Sequence, residues 1–257
     1  MSISVTLGSN PSRTATTSGQ TAAIPAYWYP DSTTSSFSNQ LLATPSGDVS
    51  FIIADATPGD GVSADPNYVS AIETYEREGI KVYGYVYTDY GSRSLSSVEA
   101  EVSDWYSGYG LDGIFFDDAS SSAALAGPGS YYSELFDYVK HMTGSGVLGT
   151  TVVLNPGTIP AEAYMADADV ICDFEGTEAT YSDTAFPAWV NSYPATRFWN
   201  IVYDSAGIPQ MQKDVSLAHE RNAGYVFVTT SGGANPYAQM PNSTFWNAEV
   251  SALTTSS

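Results

Sequence analysis

Three acidic residues follow short apolar runs and are the strongest candidates for chemistry. Asp117 and Asp118 come directly after the sequence GIFF, and Glu175 ends the run VICDFE. A charge beside a Phe-Phe pair is costly unless it is solvated or hydrogen-bonded. Paired carboxylates in an aromatic-lined groove are what glycoside hydrolysis needs. One protonates the leaving oxygen, and the other acts as nucleophile, base or ion stabiliser.

Side chains alternate along a strand, so Asp117 shares the direction of Phe115, and Glu175 shares that of Asp173. We therefore expect Asp117 and Glu175 to face a common interior and Asp118 to project into the next loop. Two alternatives stay open for these acids: Asp118 caps the following helix, or the carboxylates hold a Mg²⁺ ion. The glycosidase interpretation predicts catalytic roles for Asp117, Glu175 and Asp118, with no metal and no cofactor.

Eight strand-like runs must position these acids, and helical patterns separate them. Runs that are apolar throughout are typical of parallel strands covered on both faces. Eight such units without a linker favour an α/β fold with a single (β/α)8 TIM barrel over a doubly wound sheet. We predict a flexible Ser/Thr-rich tail at 1–21 and a barrel at 22–257. The predicted strands are 22–29, 49–55, 81–89, 112–118, 150–155, 170–175, 197–203 and 225–230, with short helices at 161–167 and 185–192 after strands five and six.

Function in such a barrel lies at the C-terminal ends of the strands and in the loops that follow them. Polar and aromatic residues occupy these positions, where a ring can stack on the apolar face of a sugar; the alternative for each ring is a place in the core. We predict that substrate contacts Tyr27, Trp28, Asp55, Tyr87, Tyr90, Asn155, Tyr203 and Tyr237.

Composition excludes several other functions. Eight Lys+Arg against 28 Asp+Glu leave a formal charge of −20, which is unfavourable for binding nucleic acid or an anionic membrane. No apolar run is long enough to span a bilayer. His141 and His219 fall inside predicted helices, so a histidine-based triad or metal site has no candidates. No Gly-rich phosphate-binding loop follows a strand. We expect a monomer with a polysaccharide substrate and no nucleic-acid or membrane partner.

Four segments resemble one known family, in the expected order: VYGYVYTDYGSRSLSSVEAEVSDWYSGYGLDGIFFDD, VVLNPGTIPAEAY, DVICDFEGT and AGYVFVTTSGGANPY. They are similar to the spherulin-4-like family, glycoside hydrolase family 135, from about Ile24 to Trp246. The resemblance implies a (β/α)8 barrel that cleaves α-1,4 linkages in N-acetylgalactosamine-containing exopolysaccharide, endo-acting and retaining. It also implies an extracellular protein, although the first 23 residues lack the apolar region of a signal peptide.

The family motif carries over to three positions. Asp117 matches the first acid of the family's FFDE motif, Asp118 stands where the family has Glu, and Glu175 matches the acid after strand six. We expect Glu175 to be the general acid/base and Asp117 the nucleophile or its supporting group. The exchange of these roles and attack by the substrate's own N-acetyl oxygen are alternatives. The shortened Asp118 leaves two further alternatives: a non-catalytic carbohydrate-binding barrel, or cleavage of de-N-acetylated polymer.

Overall fold

A computed structural model describes residues 19–56 and 64–255. Eight parallel strands form a closed barrel in chain order, which confirms the predicted TIM-barrel fold. The strands are β1 (Thr21–Ala26), β2 (Val49–Ala54), β3 (Lys81–Tyr87), β4 (Leu111–Asp117), β5 (Val147–Leu154), β6 (Val170–Thr177), β7 (Phe198–Tyr203) and β8 (Tyr225–Val228). The α-helices are α1 (Ser35–Leu42), α2 (Pro66–Arg77), α3 (Leu95–Gly108), α4 (Tyr131–Lys140), α5 (Glu178–Asp183), α6 (Ile208–Glu220) and α7 (Ser243–Thr255).

The barrel closes between its first and last strands. Thr21 pairs with Tyr225, and the side chain of Gln20 donates to the carbonyl of Ala223. β1 therefore begins one residue before the predicted domain boundary. Most of the predicted tail, residues 1–18, lies outside the described residues, as does the segment 57–63 after β2.

Aromatic rings fill the interior of the barrel. Phe51 of β2 contacts Tyr83, Trp199 and Tyr225, with ring centroids 4.8 to 5.1 Å apart, and Phe115 packs against Trp199 at 5.9 Å. These rings come from alternate positions of their strands, as expected where one face of each strand points to the axis. The interior is thus a packed core, and it leaves the C-terminal ends of the strands as the place for a site.

Local sequence signals set the ends of the outer helices. Asp65 accepts hydrogen bonds from the backbone N–H groups of Asn67 and Tyr68 and thereby caps α2, which begins at Pro66. Gly79 follows that helix with φ of +83°, a conformation that glycine adopts without steric cost.

The short helices predicted at 161–167 and 185–192 are 3₁₀-helices, which span Glu162–Ala166 and Ala188–Ser192. The α-helix that follows β6, α5, was not predicted. Over the described ranges, no helix has the length and apolar character needed to cross a membrane.

Candidate active site

Asp117 and Glu175 meet at the C-terminal mouth of the barrel through one shared side chain. The amide nitrogen of Asn155 donates a 2.7 Å hydrogen bond to Oδ1 of Asp117 and a 2.5 Å bond to Oε2 of Glu175. Taken end to end, these bonds limit the separation of the two oxygens to at most 5.2 Å. The C-terminal ends of β4, β5 and β6 therefore place Asp117, the Asn155 amide and Glu175 side by side.

The orientation of the Asn155 amide is fixed by its surroundings. Its Oδ1 accepts a 2.9 Å hydrogen bond from the backbone N–H of Gly157, so the NH₂ group must face the carboxylates. Its backbone N–H donates to the carbonyl of Phe116, and its carbonyl accepts from the N–H of Ala119. With only 4 % of its surface exposed, Asn155 is a rigid bridge between the acids.

Two tyrosines hold the outer oxygens of the same pair. The Tyr85 hydroxyl donates to Oδ2 of Asp117 at 2.8 Å, and the Tyr237 hydroxyl donates to Oε1 of Glu175 at 2.6 Å. The ring of Tyr27 lies between them, edge-on to both, with centroid distances of 5.5 and 5.6 Å. Each carboxylate thus has one donor on each oxygen, which fixes both side chains.

The electrostatics of this cluster favour a proton on Asp117. Burial, together with the charge of Glu175, raises the pKa of Asp117 to about 6, although the hydrogen bonds from Tyr85 and Asn155 oppose the rise. Burial also raises the pKa values of the Tyr85 and Tyr237 hydroxyls, and the carboxylate that each contacts adds to the rise. Both tyrosines therefore keep their protons and remain donors.

A β-bulge aims Glu175 at the axis. In the pairing of β6 with β7, Cys172 lies opposite Trp199 and Phe174 opposite Asn200, so Asp173 is an extra residue. Asp173 turns outward, where its Oδ1 accepts a 2.6 Å bond from Asn200. The predicted sharing of one direction by Asp173 and Glu175 is therefore wrong, because the bulge interrupts the alternation.

Asp118 lies in a strained segment beside the cluster. It has φ of +44°, and Asp89 and Tyr90 have φ of +49° and +53°, values uncommon outside glycine. The Tyr90 N–H donates to the carbonyl of Asp118, and the Tyr90 hydroxyl bonds its carboxylate. Thr88 donates to the carbonyls of both Asp117 and Asp118. Asp118 does not cap the next helix, because Ser122 and Ser130 occupy those positions.

Four other predicted substrate contacts lie around the mouth, outside the hydrogen-bonded cluster. Tyr90 and Tyr87 are exposed, at 57 % and 37 %, and Tyr87 donates to Asp89. Asp55 is exposed at the end of β2. Tyr203, at the end of β7, is half-buried and close enough to Tyr237 to affect its pKa. These residues form a rim above the acids.

Trp28 is not brought to the mouth. It is 4 % exposed, packs edge-on against Phe37 of α1 and hydrogen-bonds Tyr75 of α2. Because it follows Tyr27, which faces the axis, it points outward to the helices. Sequence reasoning missed Tyr85, although its alternation with Tyr87 along β3 was a signal that it faces the interior.

Metal ligation finds no support in the described ranges. No three His, Cys, Asp or Glu side chains there come together as a possible metal site. His141 follows α4 with its ring near the carbonyl of Asp137, and His219 lies in α6, both away from the strand ends.

Comparison with known proteins places the chain in a family. The model of spherulation-specific family 4 matches residues 21–253, which is nearly the whole described barrel. Spherulin-4 from Physarum polycephalum is 29 % identical over 242 residues, which cover 90 % of this chain and 69 % of that protein.

A solved structure shares the fold. Sph3 from Aspergillus clavatus, crystallised in complex with GalNAc, superposes with a TM-score of 0.73 at 23 % identity. The match covers 90 % of this chain and 98 % of that one. At this identity the likeness shows a common barrel, and the chemistry must be argued from the residues at its mouth.

Proposed function

Because the chain belongs to spherulation-specific family 4 and its barrel mouth pairs two carboxylates across one amide, we propose that it is a glycoside hydrolase. Its substrate is a polysaccharide containing N-acetylgalactosamine, the sugar bound in the crystal of the structural relative. Cleavage is at internal α-1,4 linkages, as the family resemblance implies. The observation that carries the proposal is the close approach of Asp117 and Glu175.

The separation of the two acids supports a retaining route. Retaining glycosidases hold their carboxyl groups about 5–5.5 Å apart, whereas inverting enzymes need about 6.5–9.5 Å to admit a water molecule. The nearest oxygens of Asp117 and Glu175 are at most 5.2 Å apart, and the Asn155 amide occupies the side between them. This separation fits a retaining route in which a carboxylate, and not a water molecule, makes the first attack on the sugar.

The environments of the two acids support different roles for them. Asp117, whose pKa is raised to about 6, is the group that holds a proton and donates it to the leaving oxygen. Glu175, oriented by Tyr237 and Asn155, is the nucleophile that forms the glycosyl-enzyme intermediate. Asp117 then takes a proton from the water that releases the product. This is the exchanged form of the assignment expected from sequence.

The structure also supports a binding surface around the reacting pair. Tyr87 and Tyr90 expose their rings above the acids, where sugar units on either side of the cleaved bond can stack. A substrate that extends over this rim is a polymer, which favours action outside the cell.

Incubation with galactosamine-containing polymer, followed by mass spectrometry of the soluble products, tests the proposal. Endo cleavage predicts a ladder of oligosaccharides from the first minutes, and Asp117→Asn and Glu175→Gln should each lower turnover about 10²- to 10⁴-fold. Glu73→Gln, which removes an exposed acid on α2, should keep wild-type turnover. Binding of the polymer with no new reducing ends would replace this proposal with a carbohydrate-binding barrel.

A further inference from the structure

We infer that Tyr27 is the specificity-determining residue that recognises the N-acetyl group of the substrate, through a hydrogen bond from its hydroxyl to the amide carbonyl oxygen. The inference rests on the proposed glycosidase function and deepens it.

Most donors around the two acids are already committed. Asn155 has two amide hydrogens, and one goes to each carboxylate. Tyr85 and Tyr237 have one hydroxyl hydrogen each, and these go to Asp117 and Glu175. None of these groups can donate to a sugar without giving up a carboxylate.

The hydroxyl of Tyr27 is a hydrogen-bond donor that is available to the substrate. Its hydroxyl makes no hydrogen bond to any other residue in the ranges 19–56 and 64–255. Its ring is fixed edge-on between Tyr85 and Tyr237, the two tyrosines that bind the acids. Burial raises the pKa of Tyr27 well above its ordinary value, and the charges of Asp117 and Glu175 add to the rise. The hydroxyl therefore holds its proton more tightly than an ordinary tyrosine does, and it is a donor at neutral pH.

The acceptor that suits this donor is the carbonyl of an acetamide. The substituent on C2 of the sugar lies beside the anomeric carbon, and hence beside the acid that attacks it, Glu175. An acetamide presents an N–H to the carboxylates and a carbonyl oxygen to Tyr27, so both of its polar groups are satisfied. A free ammonium has only donors, so it can bond the Tyr27 oxygen but leaves the Tyr27 hydrogen without an acceptor. The cluster thus distinguishes acetylated from de-N-acetylated galactosamine.

Tyr27→Phe provides the test, because it keeps the ring contacts and removes only the hydroxyl. We would measure kcat/KM of wild type and variant on fully N-acetylated and on de-N-acetylated α-1,4-galactosamine oligosaccharides. Wild type should prefer the acetylated substrate. The variant should lose about 10- to 100-fold on it, as expected for one buried hydrogen bond, and less than about threefold on the de-N-acetylated one.

Tyr138→Phe is the matched control, since it also removes one hydroxyl, which here bonds Ser103 between the outer helices α3 and α4. Tyr138→Phe should change kcat/KM on neither the N-acetylated nor the de-N-acetylated oligosaccharide. Equal losses on both substrates or no loss with Tyr27→Phe would overturn the inference and leave the glycosidase proposal standing. A wild type that prefers de-N-acetylated substrate would overturn the inference and the proposed substrate, but not glycoside hydrolysis itself.

Calorimetric binding of the N-acetylated oligosaccharide gives a readout that needs no turnover. If wild type cleaves neither substrate, the proposed function fails. Weaker binding by Tyr27→Phe would then still support recognition of the acetyl group, and unchanged binding would reject it.

Discussion

The carboxylates of Asp117 and Glu175 share the two hydrogens of a single amide nitrogen, so neither can move without disturbing the other. This coupling has an electrostatic side, because the charge of Glu175 contributes to the raised pKa of Asp117. It has a geometric side as well, because Asn155 is nearly inaccessible and held by Gly157.

The pH dependence of activity should report Asp117. As a general acid with a pKa of about 6, Asp117 should make kcat/KM fall as the pH rises through that value. The Tyr85 hydrogen bond lowers this pKa, so Tyr85→Phe should move the falling limb up by roughly 0.5–1 pH unit. Tyr138→Phe should leave the limb in place. If the falling limb of the kcat/KM profile moved to lower pH in Tyr85→Phe, the role given to Tyr85 would be wrong. If wild type instead lost activity as the pH falls below 6, Asp117 would be the nucleophile.

The stability of the protein should also depend on Asp117. Its pKa is raised from 3.8 to about 6 in the folded state, so the folded protein binds this proton more tightly than the unfolded chain. The corresponding stability is present below about pH 4 and is lost as the pH rises through about 6. Asp117→Asn does not titrate. Its free energy of unfolding should exceed that of wild type by on the order of 1–3 kcal/mol above pH 6.

Urea unfolding from about pH 4 to 8 measures this difference, which should close towards pH 4. Glu73→Gln removes an exposed acid and should follow wild type throughout. If the free energies of unfolding of Asp117→Asn and wild type differed by the same amount at every pH in this range, the difference would not come from the titration of Asp117.

Asp173 should act on catalysis through the bulge. It is fully buried, and burial raises its pKa well above the ordinary range, which favours the neutral acid, a group close in shape to Asn. Asp173→Asn should therefore keep its bond to Asn200 and near-normal activity. Asp173→Ala leaves that amide unpaired, which costs about 1–3 kcal/mol, and frees the bulge that aims Glu175.

Because a misplaced reacting group can cost about 100-fold, kcat of Asp173→Ala should fall about 10- to 100-fold with KM little changed. Steady-state kinetics of both variants, with circular dichroism as a check on folding, makes the comparison. Equal kcat in both variants at wild-type level would show that the bulge holds its shape without Asp173.

Tyr90 should contribute to polymer binding and not to the chemical step. Removal of its exposed ring in Tyr90→Ala should raise KM on polymer about 3- to 10-fold, the equivalent of one lost stacking contact, with kcat unchanged. Tyr90→Gly should have the same kinetics but greater stability than Tyr90→Ala, by about 1 kcal/mol, because φ of +53° suits glycine. Kinetics on polymer and thermal unfolding test the two parts separately, and a lower kcat would instead place Tyr90 at the reacting centre.

The barrel itself was predictable from the sequence because each strand carries its own signal. Apolar runs of strand length, separated by helical patterns, indicate buried parallel strands before any contact is known. The placement of Asp117 was predictable for the same reason, since β4 alternates without interruption up to its last residue.

The surroundings of the acids depend on relations between strands, which a single sequence does not display. Glu175 faces the axis as predicted, but through the bulge at Asp173, and only the pairing with β7 shows it. In register, Asp117 lies beside Tyr87, yet its hydrogen bond comes from Tyr85. Strands in a barrel are tilted, so side chains at one level along the axis are offset in register. The alternation along β3 indicates that Tyr85 faces the interior, but its pairing with Asp117 depends on this offset, which the sequence does not show.

The turn from Asn155 to Gly157 also fastens the wall of the barrel. β5 and β6 are paired at only two positions, Val153 with Val170 and Leu154 with Ile171, one of the two shortest ladders in the barrel. Beyond them, the strands are joined by the bond from the Glu175 N–H to the Gly157 carbonyl and by the bridge through Asn155. The atoms of Asn155 and Gly157 that set the distance between the acids therefore also hold β5 against β6. A ligand that tightens the site should slow amide hydrogen exchange along β6.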